Sequence, residues 1–159
     1  MALLERVTRL DQTKAWLGEI PIQNRYTVGI AGERFFREIQ EHGRFLGTRC
    51  PECDLIYVPP RLYCEQCFAH LEEWVEVPTT GYVYTYTVVH QDLDGEPLPE
   101  PRVLAFVQLD GTDGGLVHFL GDVEPDQVRL GMRVEAVFKE KAERRGSILD
   151  IVHFRPVKS

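Results

Sequence analysis

The spacing of apolar residues changes along the 159-residue chain, from helical in the N-terminal quarter to alternating in the C-terminal half. Apolar residues recur at helical spacing within residues 1–10, and a second helix is predicted from Gly32 to His42, with Phe35 and Phe36 on its apolar face. Neither helix is long enough to be stable alone. We therefore expect residues 1–43 to form a helical arm that packs either on the chain's own domains or on a partner, with Phe35 and Phe36 as candidate partner residues.

The C-terminal half has the pattern of a small β domain. Residues 82–89 alternate with period two, which places Tyr82, Tyr84 and Tyr86 on one face. Four further strands are predicted at residues 103–109, 116–120, 134–138 and 148–154, with one helical turn after the third strand. This order predicts a closed five-stranded oligonucleotide/oligosaccharide-binding (OB) barrel over residues 74–159. A half-open sandwich is the alternative.

All four cysteines fall in two Cys-x-x-Cys pairs, Cys50 with Cys53 and Cys64 with Cys67. Two such knuckles separated by a short strand are typical of a rubredoxin-like zinc ribbon, here residues 44–73. Four thiolates form a closed tetrahedral site that leaves no position for water, so the predicted zinc is structural. A redox-active pair, a disulfide framework and rubredoxin-type iron are the alternatives.

Composition and charge narrow the function classes. The formal net charge is −7, which disfavours a nucleic-acid partner. No apolar run is long enough to span a membrane, and metal-spaced cysteines without a secretion signal indicate the cytoplasm. The basic residues of 139–146 are interrupted by acidic ones, so we expect a solvated hairpin turn there.

No catalytic constellation is recognisable in the sequence. The chain has no Gly-x-Ser-x-Gly motif, its cysteines are assigned to metal, and its five histidines are scattered. His118 is expected to be a hydrogen-bonded barrel residue. The tyrosines at 82, 84 and 86 either pack in the barrel wall or line a ligand site. The proline-containing segment 91–101 is either a solvated connector or a partner loop, and Arg61 either pairs with a ligand's phosphates or balances the thiolate charge.

Three stretches carry a more specific signal: GRFLGTRCPECDLIYVPPRLYCEQC at 43–67, WVEVPTTGYVYTYTVVH at 74–90, and LGMRVEAVF with GSILDIVHF within 129–154. Together they resemble the acyl-CoA-associated family of small proteins in which a zinc ribbon is fused to an OB-fold. Asp54 replaces the glycine usual at the first knuckle, and the first 30 residues are a less familiar extension.

The resemblance implies a non-catalytic accessory or scaffold subunit of a thiolase-fold enzyme, such as a thiolase or a lipid-transfer-protein-like aldolase. It also implies that the chain helps to bind the CoA ester while the chemistry stays in the partner. A nucleic-acid-binding module is the alternative function.

Overall fold

The computed structural model describes residues 26–157, together with Arg9, Asp11 and Gly18. The first predicted helix, within residues 1–10, lies outside this range. The described chain contains one α-helix and eight β-strands, and the predicted fold class is confirmed. The strands form a three-stranded sheet and a closed five-stranded barrel.

Helix α1 (Gly29–His42) starts three residues before the predicted first residue and ends as predicted. Gly43 follows it with a φ of 64°, and the Gly43 N–H donates to the Ile39 carbonyl at 3.0 Å. A glycine accepts this left-handed conformation without steric cost. The apolar face of α1 is buried, and the rings of Phe35 and Phe45 stack with centroids 6.0 Å apart. The helix therefore packs on the chain's own strands.

The ribbon sheet contains β1 (Phe45–Cys50), β2 (Leu55–Tyr57) and β3 (Glu73–Val77), in the order β2-β1-β3. Strands β1 and β2 form an antiparallel hairpin with the first Cys-x-x-Cys at its turn. Strand β3 was not predicted. It pairs antiparallel with β1, and the Arg34 guanidinium of α1 lies 4.2 Å above the Trp74 ring.

The barrel contains the remaining five strands in the order β4-β5-β6-β8-β7. They are β4 (Thr80–Gln91), β5 (Pro97–Leu109), β6 (Gly115–Leu120), β7 (Arg133–Phe138) and β8 (Ile151–Pro156). Strand β6 pairs in parallel with β8, and all other pairs are antiparallel. The predicted helical turn after β6 is a 3-10 helix, Pro125–Gln127. This arrangement is the predicted OB barrel.

A bulge in β4 divides the three tyrosines between two faces. The register with β5 shifts between Val83 and Thr85, which leaves Tyr84 as the additional residue. Beyond the bulge Tyr86 packs against the core, whereas the half-buried Tyr82 and the exposed Tyr84 are not among the residues that pack on it. The prediction that the tyrosines share one face is therefore wrong, because an inserted residue reverses the alternation of every later side chain.

The segment 91–101 is mostly not a loop. Strand β4 extends to Gln91, a tight turn follows, and β5 begins at Pro97. The Asp92 carboxylate stabilises the turn by accepting from the N–H groups of Asp94 and Glu96, both at 2.9 Å. The prolines lie where the pairing with β4 is irregular, and a residue without an N–H is tolerated there.

The basic segment 139–146 is not simply a solvated turn. It contains a 3-10 helix, Lys141–Glu143, and lies against α1. The Arg144 Nε donates to the Lys139 carbonyl at 2.7 Å, and Gln40 of α1 donates to the Arg144 carbonyl at 3.3 Å. The segment therefore joins the barrel to the helix, a contact that charge patterning alone does not reveal.

The ribbon and the barrel are joined directly by the turn between β5 and β6. The Asp113 carboxylate accepts from the Ile56 N–H at 2.9 Å, and the Asp113 N–H donates to the Ile56 carbonyl at 2.9 Å. A Cβ at Gly114 would lie 2.4 Å from the Val58 carbonyl oxygen, so only glycine fits there. Residues of α1, the ribbon and the barrel share one hydrophobic core.

Candidate metal centre and outer barrel surface

The four cysteines converge on one point. Their Sγ atoms all lie within 4.8 Å of one another. Cys50 and Cys67 are 3.5 Å apart, and Cys53 and Cys64 are 3.8 Å apart. A tetrahedral zinc with bonds of about 2.3 Å separates its sulfur ligands by about 3.8 Å. The four sulfurs are thus positioned for metal binding.

Each knuckle is completed by a residue in the left-handed conformation. Asp54 has a φ of 55° and Phe68 a φ of 61°. Both directly follow a Cys-x-x-Cys pair, at a position where a glycine would adopt this conformation without steric cost. At the second knuckle the Phe68 N–H donates to the Cys64 carbonyl at 3.0 Å, which closes the turn around the thiol.

Two side chains support the sulfurs from β1 and β2. The Tyr57 hydroxyl lies 3.2 Å from the Cys64 Sγ. The buried Thr48 hydroxyl donates to the Arg61 carbonyl and accepts from the Arg61 N–H, both at 2.9 Å. These bonds attach the second knuckle to the sheet. Sequence reasoning missed both residues, although an aromatic residue between the cysteine pairs was visible.

The thiols differ in their tendency to ionise. Hydrogen bonds from the Cys67 N–H and the Tyr57 hydroxyl lower the pKa of Cys64 to about 6. Interaction with the Cys67 thiol, together with burial, raises the pKa of Cys53 to about 12. Four sulfurs this close together, of which those of Cys50 and Cys64 belong to buried residues, cannot all become thiolates unless a cation compensates their charge.

The arginines that flank the ribbon are paired with carboxylates. Arg61 pairs with Glu65, and its guanidinium lies 5.2 Å from the centroid of the Tyr57 ring. Arg49 binds Asp54 at 2.5 Å, and Arg44 binds Glu38 at 2.7 Å. A phosphate ligand would have to compete with these carboxylates, so a ligand role for Arg61 stays a prediction.

The other predicted ligand or partner residues are dispersed. Phe35 is 1% exposed and belongs to the core, so its ring is not available to a partner here. Phe36 is half-buried beside the 145–148 segment. Tyr86 donates its hydroxyl to the Val128 carbonyl at 3.1 Å, whereas Tyr82 is half-buried and Tyr84 is exposed. A ligand or partner role for Phe36 and the three tyrosines stays a prediction.

Tyr84 is part of an apolar surface on the barrel that sequence reasoning missed. Its ring meets Phe106 edge-on with centroids 5.9 Å apart, and Phe106 is the register partner of Val117. Leu104 and Phe119 form the next outward pair. We call these five residues the outer barrel face. Tyr84 is 60% exposed and Val117 59% exposed, which is unusual for neighbouring large apolar side chains.

His118 is a barrel residue, as predicted, but one of its ring nitrogens lacks a partner. The side chain is 7% exposed and points inward, with its ring 6.1 Å from that of Phe154. The Nδ1 atom forms no hydrogen bond in the described part of the chain. Burial lowers the pKa of His118, which favours the neutral imidazole.

Comparison with known proteins identifies both modules. The rubredoxin-like zinc ribbon domain of ChsH2 matches residues 37–72, and the C-terminal OB-fold domain of ChsH2 matches residues 74–139. A DUF35 domain-containing scaffold protein from Methanocaldococcus jannaschii is 34% identical over 111 residues, which are 69% of this chain and 78% of that protein.

Two further matches are to proteins whose names include an enzyme activity. The solved structure of the Ltp2-ChsH2(DUF35) aldolase contains a chain of 28% identity that superposes with a TM-score of 0.60, covering 83% of this chain and 98% of that one. A probable enoyl-CoA hydratase alpha subunit from Thermomonospora curvata is 35% identical over 104 residues, 63% of this chain but only 31% of that subunit.

The helix that the structure describes, within residues 26–157, lacks the length and apolar character needed to cross a bilayer.

Proposed function

The chain belongs to the DUF35 family, in which a zinc ribbon precedes an OB-fold, and we propose that it is a non-catalytic accessory subunit of a thiolase-fold acyl-CoA enzyme. Two comparisons support an accessory role: the relative is named a scaffold protein, and the aldolase structure contains a matching chain. In this proposal the partner carries out the chemistry, and this chain helps to bind the CoA ester.

We propose that the metal is zinc and that it holds the ribbon together. The donor set supports this, since four thiolates suit a borderline-soft ion that tolerates tetrahedral geometry. The sulfur separations of 3.5 and 3.8 Å are compatible with such a site. Zinc would supply a cation that lets all four thiols ionise, and it would have no open position for a substrate.

The observation that carries the accessory role is the outer barrel face. Tyr84, Phe106 and Val117 form a contiguous apolar surface on three neighbouring strands. The side chains of Tyr84 and Val117 are both more than half exposed. A contiguous exposed apolar surface with aromatic residues is typical of a protein–protein contact. Aromatic residues at the centre of such a patch commonly provide most of the binding energy.

The test is co-purification of the full chain with a thiolase-fold enzyme. We expect Tyr84→Asp to weaken the complex by about 2 kcal/mol or more, because it places a charge in an apolar contact. The matched control is Tyr63→Asp on the ribbon, since Tyr63 has the same 60% exposure. Both variants should remain folded, although Tyr84→Asp should melt at a slightly lower temperature because it loses the contact with Phe106. Equal weakening by both would refute the assignment to the outer barrel face.

The same preparation tests the nucleic-acid alternative. Retention of the isolated chain on a DNA or RNA column at moderate salt, with no enzyme captured, would favour that function over the accessory role. Turnover of an acyl-CoA by the isolated chain would contradict the non-catalytic assignment.

A further inference from the structure

The barrel wall is least complete between β6 and β8. One parallel pair, Leu120 with Phe154, joins these strands in the described part of the chain. The Gly121 N–H extends this contact by donating to the Phe154 carbonyl at 2.8 Å. On the other side of the pair, towards residue 117 of β6 and residue 148 before β8, lies a cleft of about 510 Å³. Small-ligand sites in proteins have volumes of this order.

The walls of this cleft, which we call the β6–β8 cleft, are mainly apolar. They include Leu104, Val117, Phe119, Ile148, Leu149 and Val152. Leu149 is 67% exposed and Val152 46% exposed, so the chain itself leaves much of this surface uncovered. An aliphatic chain lying along these walls would shield their exposed apolar surface from water. This burial contributes a favourable binding free energy of roughly 25 cal/mol per Å².

The β6–β8 cleft reaches a buried polar atom that lacks a partner. His118 lines the cleft although its side chain points into the barrel, and its Nδ1 has no hydrogen bond. A buried polar group without a partner is unfavourable, and native proteins usually satisfy such groups with a protein atom, water or a ligand. A ligand oxygen in the cleft would satisfy this nitrogen.

Two cations border the same cleft in an otherwise acidic chain. They are Arg102, whose guanidinium lies 3.5 Å above the Phe119 ring, and Lys139. Neither forms an ion pair with a carboxylate of residues 26–157 within 4.0 Å. The Asp150 carboxylate attracts Lys139 from further away, but it is already bonded to three backbone N–H groups.

We propose that the β6–β8 cleft binds an aliphatic carboxylate, with the hydrocarbon chain along the apolar walls and the carboxylate beside Arg102. The Nδ1–H of His118 donates to a carboxylate oxygen. This binding site goes beyond the accessory role, because a small molecule and not an enzyme occupies it. Leu104, Val117 and Phe119 also belong to the outer barrel face, so the site is tested on this chain without a partner enzyme.

The direct test is calorimetric titration of the full, metal-loaded chain with decanoate. We expect saturable binding with about one site per chain. Decanol has the same hydrocarbon chain without the charge and should bind at least about tenfold more weakly, because it loses the charge-assisted hydrogen bonds. The imidazole nitrogen resonances of His118 should shift on addition of decanoate. Equal affinity for decanol and decanoate would contradict the proposal, as would the absence of saturable binding.

Two variants locate the site. Arg102→Gln should weaken decanoate binding about tenfold and reduce its dependence on salt. His118→Leu should weaken binding similarly while raising the melting temperature, because it removes the buried nitrogen without a partner. The control is Arg37→Gln on the exposed face of α1, which should bind decanoate like the wild type. Unchanged binding in His118→Leu and Arg102→Gln would overturn the proposal. The accessory role is tested by a different substitution, Tyr84→Asp. A negative result for decanoate binding would therefore not decide whether the chain binds an enzyme.

Discussion

At the scale of single residues, the positions with special backbone conformations were the easiest to anticipate. The spacing of the cysteines fixes the metal knuckles, and a knuckle needs a left-handed residue at a defined offset, where Asp54 and Phe68 lie. The unpaired nitrogen of His118 could not be predicted. It depends on which atoms of a distant turn approach the ring, and one sequence contains no signal for that.

The left-handed conformation of Phe68 leads to a stability prediction. Its side chain is 78% exposed, so removal loses little packing, whereas its φ of 61° brings Cβ close to the backbone. Phe68→Gly should raise the free energy of unfolding of the metal-loaded protein by about 0.5–1 kcal/mol, because the steric cost of about 1–2 kcal/mol exceeds the entropy cost of glycine. Urea unfolding measures the difference.

Phe68→Ala is the control for this prediction, because it removes the ring but keeps Cβ. It should give no gain in stability. An equal gain in both variants would show that the exposed ring, not the backbone conformation, is the unfavourable feature.

At the scale of elements, strands were predicted well in position and less well in orientation. The predicted strands at 82–89 and 103–109 lie inside the longer β4 and β5. The alternation failed at Tyr84 because a bulge is set by pairing with β5, which the β4 sequence does not encode. The turn after β7 was predicted to be solvated for a similar reason. Gln40 of α1 donates to the carbonyl of Arg144, 104 residues further along the chain, and this contact leaves no signal in the local sequence.

That turn depends on one carboxylate. Asp150 is 1% exposed and accepts hydrogen bonds of 2.7–3.1 Å from the N–H groups of Arg145, Gly146 and Ser147. Burial alone would raise the pKa of Asp150, but these donors outweigh it and lower the pKa below its ordinary value. The carboxylate therefore stabilises the fold above the pKa of about 3.9 found in unfolded chains, and this stabilisation is lost as pH falls through the lower folded pKa.

Asp150→Asn should lower the free energy of unfolding at pH 7 by about 1–3 kcal/mol, because it replaces an acceptor of several backbone N–H groups. It should also flatten the loss of stability of the wild type below about pH 4. Denaturant unfolding at pH 7 and pH 3.5 measures both effects. If the variant and the wild type lose equal stability on acidification, Asp150 is not the responsible group.

At the scale of the whole molecule, the order of the modules followed from the sequence, whereas their mutual contacts did not. The cysteine spacing and the strand pattern gave a ribbon and then a barrel. They did not indicate that β3 joins the ribbon sheet or that α1 contributes Phe35 to the shared core. Contacts of this kind depend on long-range packing, which periodicity does not report.

The metal prediction belongs at this scale. The ribbon's own cluster of buried residues is small, consisting of Cys50, Tyr57, Cys64 and Leu71, so metal binding must supply much of its stability. Cys64→Ser, or removal of zinc by a strong chelator, should destabilise the protein by about 4 kcal/mol or more. Metal analysis should find one zinc per wild-type chain.

Thermal unfolding with and without chelator measures this loss, and added zinc should reverse it in the wild type but not in Cys64→Ser. Ser147→Ala, far from the cysteines in sequence, should respond to chelator like the wild type. A wild-type chain that melts at the same temperature with and without metal would refute a structural role.

The reciprocal hydrogen bonds between Ile56 and Asp113, with Gly114 pressed beneath Val58, have a mechanical consequence. They connect the hairpin that carries the first knuckle to the turn between β5 and β6, the strands that supply four residues of the outer barrel face. The outer barrel face and the ribbon hairpin are thus joined by a short path of direct contacts. An enzyme that docks on the outer barrel face would therefore also fix the orientation of the ribbon, and the two modules would move as one rigid unit.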